Sequence, residues 1–128
     1  MSKKQRLIWG PRPVAADLNA AARFLSLINT PAQIKSLVDA LRRNEAVDHA
    51  AKDLLRASGL ALLPIDEPQV EVDLKKVRKG KSLSPVLLVA GDMTLGIPLT
   101  VADGYHRICA VCYFDEDAPV SCRLVCRG

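Results

Sequence analysis

Aromatic side chains are scarce in this chain: one Trp, two Tyr and two Phe, 4% of 128 residues. That scarcity argues against a single-stranded nucleic-acid platform, which stacks bases on several exposed rings. Long apolar runs are lacking as well. None approaches the roughly 18–20 residues of a membrane span, and the N-terminus has no signal-peptide hydrophobic core. The expectation is a cytoplasmic protein with no membrane partner. Cysteine is limited to four residues: Cys109 and Cys112, then Cys122 after nine residues and Cys126 after three more. The spacing superficially resembles a zinc site. Cys109, however, falls among Ile108, Ala110 and Val111 in an expected helix, and Cys122 and Cys126 share one side of an expected strand. Packing in the core is the reading, with no metal and no disulfide.

What is present is a globular composition, 49% apolar and 25% charged, at the length of one ordinary domain. The net charge of +4 collects in an N-terminal group (Lys3, Lys4, Arg6, Arg12) and in a cluster at Lys75, Lys76, Arg78, Lys79 and Lys81. Such a balance admits a phosphate-bearing partner without requiring one, and a charge run is by default a solvated face.

Residues 1–13 read as an extended arm docked through Leu7, Ile8 and Trp9. Helical spacing of apolar residues follows from Val14 to Ile28. Thr30-Pro31 then restarts the chain as N-cap and first helical residue of a helix carrying Ile34, Leu37, Val38 and Leu41. A third helix is expected over Glu45 to Ala57, closed by Gly59. The pattern changes at Leu60. Leu60 to Leu63 is a short apolar run. Val70, Val72 and Leu74 alternate with Glu71 and Asp73 and predict a strand or strand edge. Pro85 introduces a buried strand, Val86 to Val89, and Gly91-Asp92 a turn into a second strand from Ile97 to Ala102. After a further helix and the acidic Asp115-Glu116-Asp117, a last strand runs from Val120 to Cys126. The fold class is α+β: N-terminal helices, then a small mixed β-sheet with helices. Residues 1–59 form the arm and helical segment and 60–128 the α+β unit, together one compact domain.

The chemistry concentrates in Val101-Ala-Asp-Gly-Tyr-His-Arg-Ile-Cys-Ala110. A strand ending at Asp103-Gly104 and a helix starting directly after it leave several backbone N–H groups unpaired in front of the helix. His106 and Arg107 occupy the first helical turn, where the dipole disfavours cations, which points to an anion in front of them. Asp103 reads as the N-cap, with ligand or metal contact as its alternative. Gly104 permits positive φ and close approach of a ligand. Arg107 could grip a phosphate bidentately or form an ion pair with Asp115 to Asp117. His106 could hydrogen-bond a phosphate or move a proton, and Tyr105 could stack on a base or cover the turn. The catalytic candidates are therefore His106 and Asp103. The acidic loop reads as solvated.

This strand, box and helix resemble the signature of the ParB/sulfiredoxin superfamily, Gly-x-(His/Arg)-Arg followed by an Ala-containing helix. Ser84-Pro85-Val86-Leu87-Leu88-Val89 resembles the proline-led strand that precedes the box, and the likeness covers about residues 60–126. It implies a small sheet wrapped by helices with a nucleotide phosphate at the helix N-terminus. Gly104, Tyr105, His106 and Arg107 would form the binding site, assisted by Lys79 and Lys81, for a nucleoside triphosphate with Mg2+. Two departures narrow the expectation. Tyr105 stands where sulfiredoxins carry their reactive Cys, so sulfinic-acid reduction is not expected. Partition proteins place Glu-Arg-Arg after the Gly and a DNA-binding helix-turn-helix after the box, and this sequence has neither. The Asp-Gly-x-His-Arg form is closer to members that act as small-molecule kinases. Those need a separate carboxylate, for which Glu67, Glu71 and Asp73 are candidates. Three readings stay open: a nucleotide or phosphate-binding module with phosphoryl-transfer or hydrolysis activity, a DNA-binding or partition-related protein, and a non-catalytic interaction domain. Self-association is compatible with each.

Overall fold

In the computed structural model, residues 6–126 are described. A four-stranded mixed sheet in the order β2-β6-β4-β5 forms the centre. Strand β4 (Val86–Val89) runs parallel to β6 (Pro119–Val125) and antiparallel to β5 (Thr100–Asp103). The edge strand β2 (Val47–Ala50) is antiparallel to β6. A separate parallel pair joins β1 (Ile8–Trp9) to β3 (Ser82–Leu83), which docks the N-terminal arm as expected. Lys3 and Lys4 of that arm lie outside the described residues.

The period-two alternation of β4 divides the core. Leu87 and Val89 face helices α1 (Ala15–Leu25) and α2 (Pro31–Arg43), where they meet Leu18, Leu25, Leu37 and Leu41. Val86 and Leu88 face the opposite layer, made by α3 (Ala51–Ser58) and α5 (Tyr105–Phe114). Helix α5 is enclosed on two sides: Ile108 and Val111 pack on the sheet, while Cys109 and Ala110 pack on Val70 and Leu74 of α4 (Pro68–Arg78). A helix buried nearly all round needs no amphipathic stripe, which accounts for its apolar sequence from Ile108 onward. The N-terminal helices α1 and α2 thus form one layer whose core is shared with the sheet, opposite the layer of α3 and α5.

The α2 start is as expected. Thr30 Oγ1 accepts from Gln33 N, and Gln33 Oε1 accepts from Thr30 N in a complete capping box. Gly59 closes α3 in the left-handed region at φ 71°. Two expectations are corrected. Val70 to Leu74 is helical, not a strand. Glu67 caps α4 by accepting from Val70 N at 2.9 Å, Pro68 sits at the first helical position, and Val70, Leu74 and Val77 recur at helical spacing while Val72 is left exposed. The short alternation fitted either period, and the cap decides. The expected Glu45–Ala57 helix is split: Val47–Ala50 is drawn out to pair with β6, and α3 begins only at Ala51. Two smaller shifts follow at the C-terminal end. Strand β5 begins at Thr100 rather than Ile97, and Cys126 lies beyond β6 and is exposed. Leu60 to Leu63 forms no element. It is held against α5 by Tyr105 Oη, which donates to Ala61 O, and by Tyr113 Oη, which donates to Leu63 O at 2.6 Å.

The shared core makes a direct prediction. Leu25 is fully buried under the sheet, and Leu25→Ala should cost about 2–5 kcal/mol. Trp9 packs in the cluster on the other face of the sheet. Its fluorescence should therefore lose midpoint in step with far-UV circular dichroism during urea unfolding. Separate midpoints would mean that the helical layer melts independently of the sheet.

Candidate functional site

The β5–α5 junction opens onto a polar cavity of about 340 Å³. Four elements build its walls: Asp17 from α1, Gln69, Asp73 and Lys76 from α4, Ser82 to Ser84 around β3, and Asp103, Gly104, His106 and Arg107 from the junction. Gly104, not Asp103, is the N-cap of α5, at φ 109° and without any side-chain cap. A Cβ at Gly104 would stand 2.5 Å from Val86 Cγ1 and 2.9 Å from Arg107 Nη2, so both the backbone angle and the space demand glycine.

Asp103 does not cap because Arg107 takes its carboxylate. Arg107 Nη2 donates to Asp103 Oδ2 at 2.6 Å, and Nη1 donates to Asp17 Oδ2 at 2.9 Å and to Ser84 O at 3.1 Å. Nη1 also reaches Ser84 Oγ, which in turn donates to Asp17 Oδ2 at 2.7 Å. The Arg107 side chain is only 11% exposed. The ion pair expected with Asp115 to Asp117 is not formed: the Arg107 fork is engaged by Asp17 and Asp103 inside the protein. Asp117 pairs instead with Lys52 on the surface. Removing one member of such a buried charge cluster typically costs about 3–5 kcal/mol, because the remaining charges lose their partner.

With Asp103 withdrawn, the backbone N–H groups of Tyr105, His106 and Arg107 have no hydrogen-bond acceptor among the described residues, the first intrahelical bond being Ile108 N to Gly104 O at 3.0 Å. His106 Nε2 stands 3.6 Å from Glu67 Oε2, an ion-pair distance once the imidazole is protonated. Tyr105 turns its ring away from the polar cavity, toward Ala61. Lys79 and Lys81 are exposed at the end of α4 and in the following turn, and neither lines the cavity. Lys76, one helical turn earlier, does. The helix explains the exchange: residues 73 and 76 are three apart and share the face that looks toward α5.

Of the three candidate carboxylates outside the box, each has a distinct place. Glu67 caps α4, Glu71 pairs with Lys75 on the surface, and Asp73 lines the cavity at 4% exposure. Gln69 Nε2 donates to Asp73 Oδ1 at 3.1 Å, and Oδ2 has no partner among the described residues. Burial pushes the Asp73 carboxyl above its ordinary value, against the hydrogen bond from Gln69 and the charges of Lys76, Arg107 and His106. Burial also raises Asp103, with Arg107 pulling it down and Asp17 pushing it up. Asp17 and Gln69 are not distinguished by the sequence, where Asp17 looks like any polar residue of an amphipathic helix. Lys76 is marked there only as one member of the basic cluster, and Ser84 only by its place before the proline that opens β4.

The cysteines stay apart from the site. Cys109 and Cys122 are buried, and burial pushes the Cys122 thiol up to about 12, which keeps it protonated and inert. All four are free thiols, and among the described residues no three His, Cys, Asp or Glu side chains are grouped to hold a metal ion.

Comparison with protein-family models, curated proteins and solved structures gives no match. The site is therefore read from its own geometry.

Asp73 supplies a pH test. Its folded pKa lies above the ordinary carboxylate value of 3.8, so ionised Asp73 is less favourable in the folded chain than in the unfolded one. That cost is absent below the unfolded pKa and complete above the folded one. Asp73→Asn keeps an acceptor for Gln69 and removes the charge. It should raise Tm at pH 7, with the advantage shrinking as pH is lowered toward 4. A variant less stable than wild type at pH 7 would contradict this electrostatic reading.

Proposed function

We propose that the chain binds a phosphate-bearing small molecule in the α4–α5 cavity, with a nucleoside triphosphate as the leading class. The observation that carries this reading is the open first turn of α5. The N–H groups of residues 105–107 have no acceptor among the described residues, at a helix start whose Gly104, His106 and Arg107 line a polar cavity. Yet a carboxylate suited to capping, Asp103, is adjacent and held elsewhere by Arg107. Such a terminus favours an oxyanion through both hydrogen bonds and helix dipole. The charge balance is compatible with it. Asp17 and Asp103 are partnered by Arg107, Asp73 is pushed toward its neutral form, and Lys76 forms no ion pair among the described residues.

In this reading Lys76 and the N–H groups of residues 105–107 hold the phosphate, and Arg107 fixes the junction rather than gripping the ligand. Asp73 is placed to accept the proton of a hydroxyl or water as that oxygen bonds to phosphorus and the leaving oxygen departs with its electron pair. His106, with Glu67 behind it, faces the same space. Mg2+ belongs here to the nucleotide complex, held by phosphate oxygens. The resemblance of the Asp-Gly-Tyr-His-Arg box to the ParB/sulfiredoxin superfamily points the same way. DNA binding finds less support: α1 and α2 bury their apolar faces on the sheet, and the exposed Arg42 of α2 pairs with Asp39.

Calorimetric titration with ATP, CTP and GTP, each with Mg2+, tests this at low salt. At least one should bind the wild type, and Lys76→Ala should weaken it about tenfold, equivalent to about 1.4 kcal/mol. Lys79→Ala should change affinity less than about twofold, as expected for a screened surface charge. Absence of binding at millimolar nucleotide would refute the proposal.

A further inference from the structure

A second cleft, of about 420 Å³, lies on the other side of the same junction and shares Asp103, Gly104 and His106 with the polar cavity. Its character is different. Phe24 and Ile28 from the end of α1, Leu60 from the loop after α3, and Leu99 and Val101 from the β5 segment converge on it. Phe24, Ile28 and Leu60 are 44%, 52% and 37% exposed. The chain has only five Trp, Tyr and Phe residues, yet Phe24 and Tyr105 both line this cleft, with the His106 ring beside Tyr105 at a centroid distance of 5.9 Å.

We propose that the natural ligand is a phosphate ester with a planar, ring-bearing group, whose ring occupies this apolar cleft while its phosphate occupies the polar cavity across Gly104. The inference rests on the phosphate reading above and adds the place where the ligand's ring sits. Two arguments single out a small molecule over a protein partner. The cleft falls within the ~300–1,000 Å³ usual for small-ligand sites, and it shares Asp103, Gly104 and His106 with a polar cavity that would fix one end of such a ligand. A planar group matches the rings of Phe24, Tyr105 and His106, which can meet it edge-on or stacked. His106 lines both spaces and so contacts ring and phosphate at once. Tyr105 lines the apolar cleft, while its hydroxyl is anchored on Ala61 O.

Methyl phosphate and phenyl phosphate separate the two halves of the idea, since they share the phosphate and differ in the ring. In NMR titrations of the wild type, phenyl phosphate should bind at least about tenfold more tightly than methyl phosphate. The double variant Phe24→Ser, Leu60→Ser alters only half-exposed side chains, and its fold is checked by its thermal melt. It should bring phenyl phosphate to the methyl phosphate level and leave methyl phosphate unchanged. If both esters bind the wild type equally, the ring cleft is refuted and the phosphate site stands. A phenyl preference that survives the double variant refutes the cleft as well, because the ring then sits elsewhere. If neither ester binds at millimolar concentration, the phosphate reading falls and this inference falls with it.

Discussion

Everything at the β5–α5 junction depends on where Arg107 puts its two nitrogens. The side chain leaves the first turn of α5, crosses back over Gly104 and joins Asp103 at 2.6 Å to Asp17 at 2.9 Å. In doing so it ties α1 from one layer of the fold to α5 from the other, through the end of the central sheet. It also fixes Ser84 at the entrance to β4. A buried guanidinium between two carboxylates is weak evidence for extra stability, since desolvation offsets much of the attraction. Its value here is geometric. Arg107 holds Asp103 off the helix N-terminus, and that leaves an uncapped first turn beside a cavity. The glycine at φ 109° follows from the same arrangement, because any side chain there would strike Val86 or Arg107 itself.

The strength of the box as a sequence signal came from local chemistry. Asp-Gly before an apolar helical run implies a turn and a helix start, and both are found at Gly104 and Tyr105. The Thr30-Pro31 start was equally legible, since a capping box depends on residues three apart. Where the reading failed, the deciding contact was distant or the pattern too short. Val70 to Leu74 fits period two and period 3.6 alike over five residues, and only the Glu67 cap distinguishes them. Val47 to Ala50 is pulled into a strand by β6, some seventy residues on, which no local propensity reveals. The ion-pair partner expected for Arg107, the Asp115–Asp117 loop, is displaced for the same reason. Its carboxylates are one local residue, Asp103, and one that arrives from α1.

The same limit applies to the basic cluster. Read as a run, Lys75 to Lys81 offers five equivalent cations. Wound onto α4, it presents Lys76 to the cavity and sends Lys79 and Lys81 to solvent. Helix α4 also decides among the acids, since Asp73 is the member of its set that combines burial with a place on the cavity wall. A buried carboxylate pushed toward neutrality is costly to a fold, and the proposed proton transfer would make use of it. Polar cavity and apolar cleft share Asp103, Gly104 and His106, the arrangement on which the proposed two-ended ligand rests.

The central claim is that the first turn of α5 is held open for an oxyanion by the Arg107 clamp. Amide 1H–15N spectra during titration with inorganic phosphate test it most directly. The account predicts that the largest shift changes fall on the N–H groups of Tyr105, His106 and Arg107, while the Arg107 side-chain signal, engaged by Asp17 and Asp103, moves little. Shifts centred on Lys79 and Lys81, or a large displacement of the Arg107 side chain with the three amides unmoved, would contradict it.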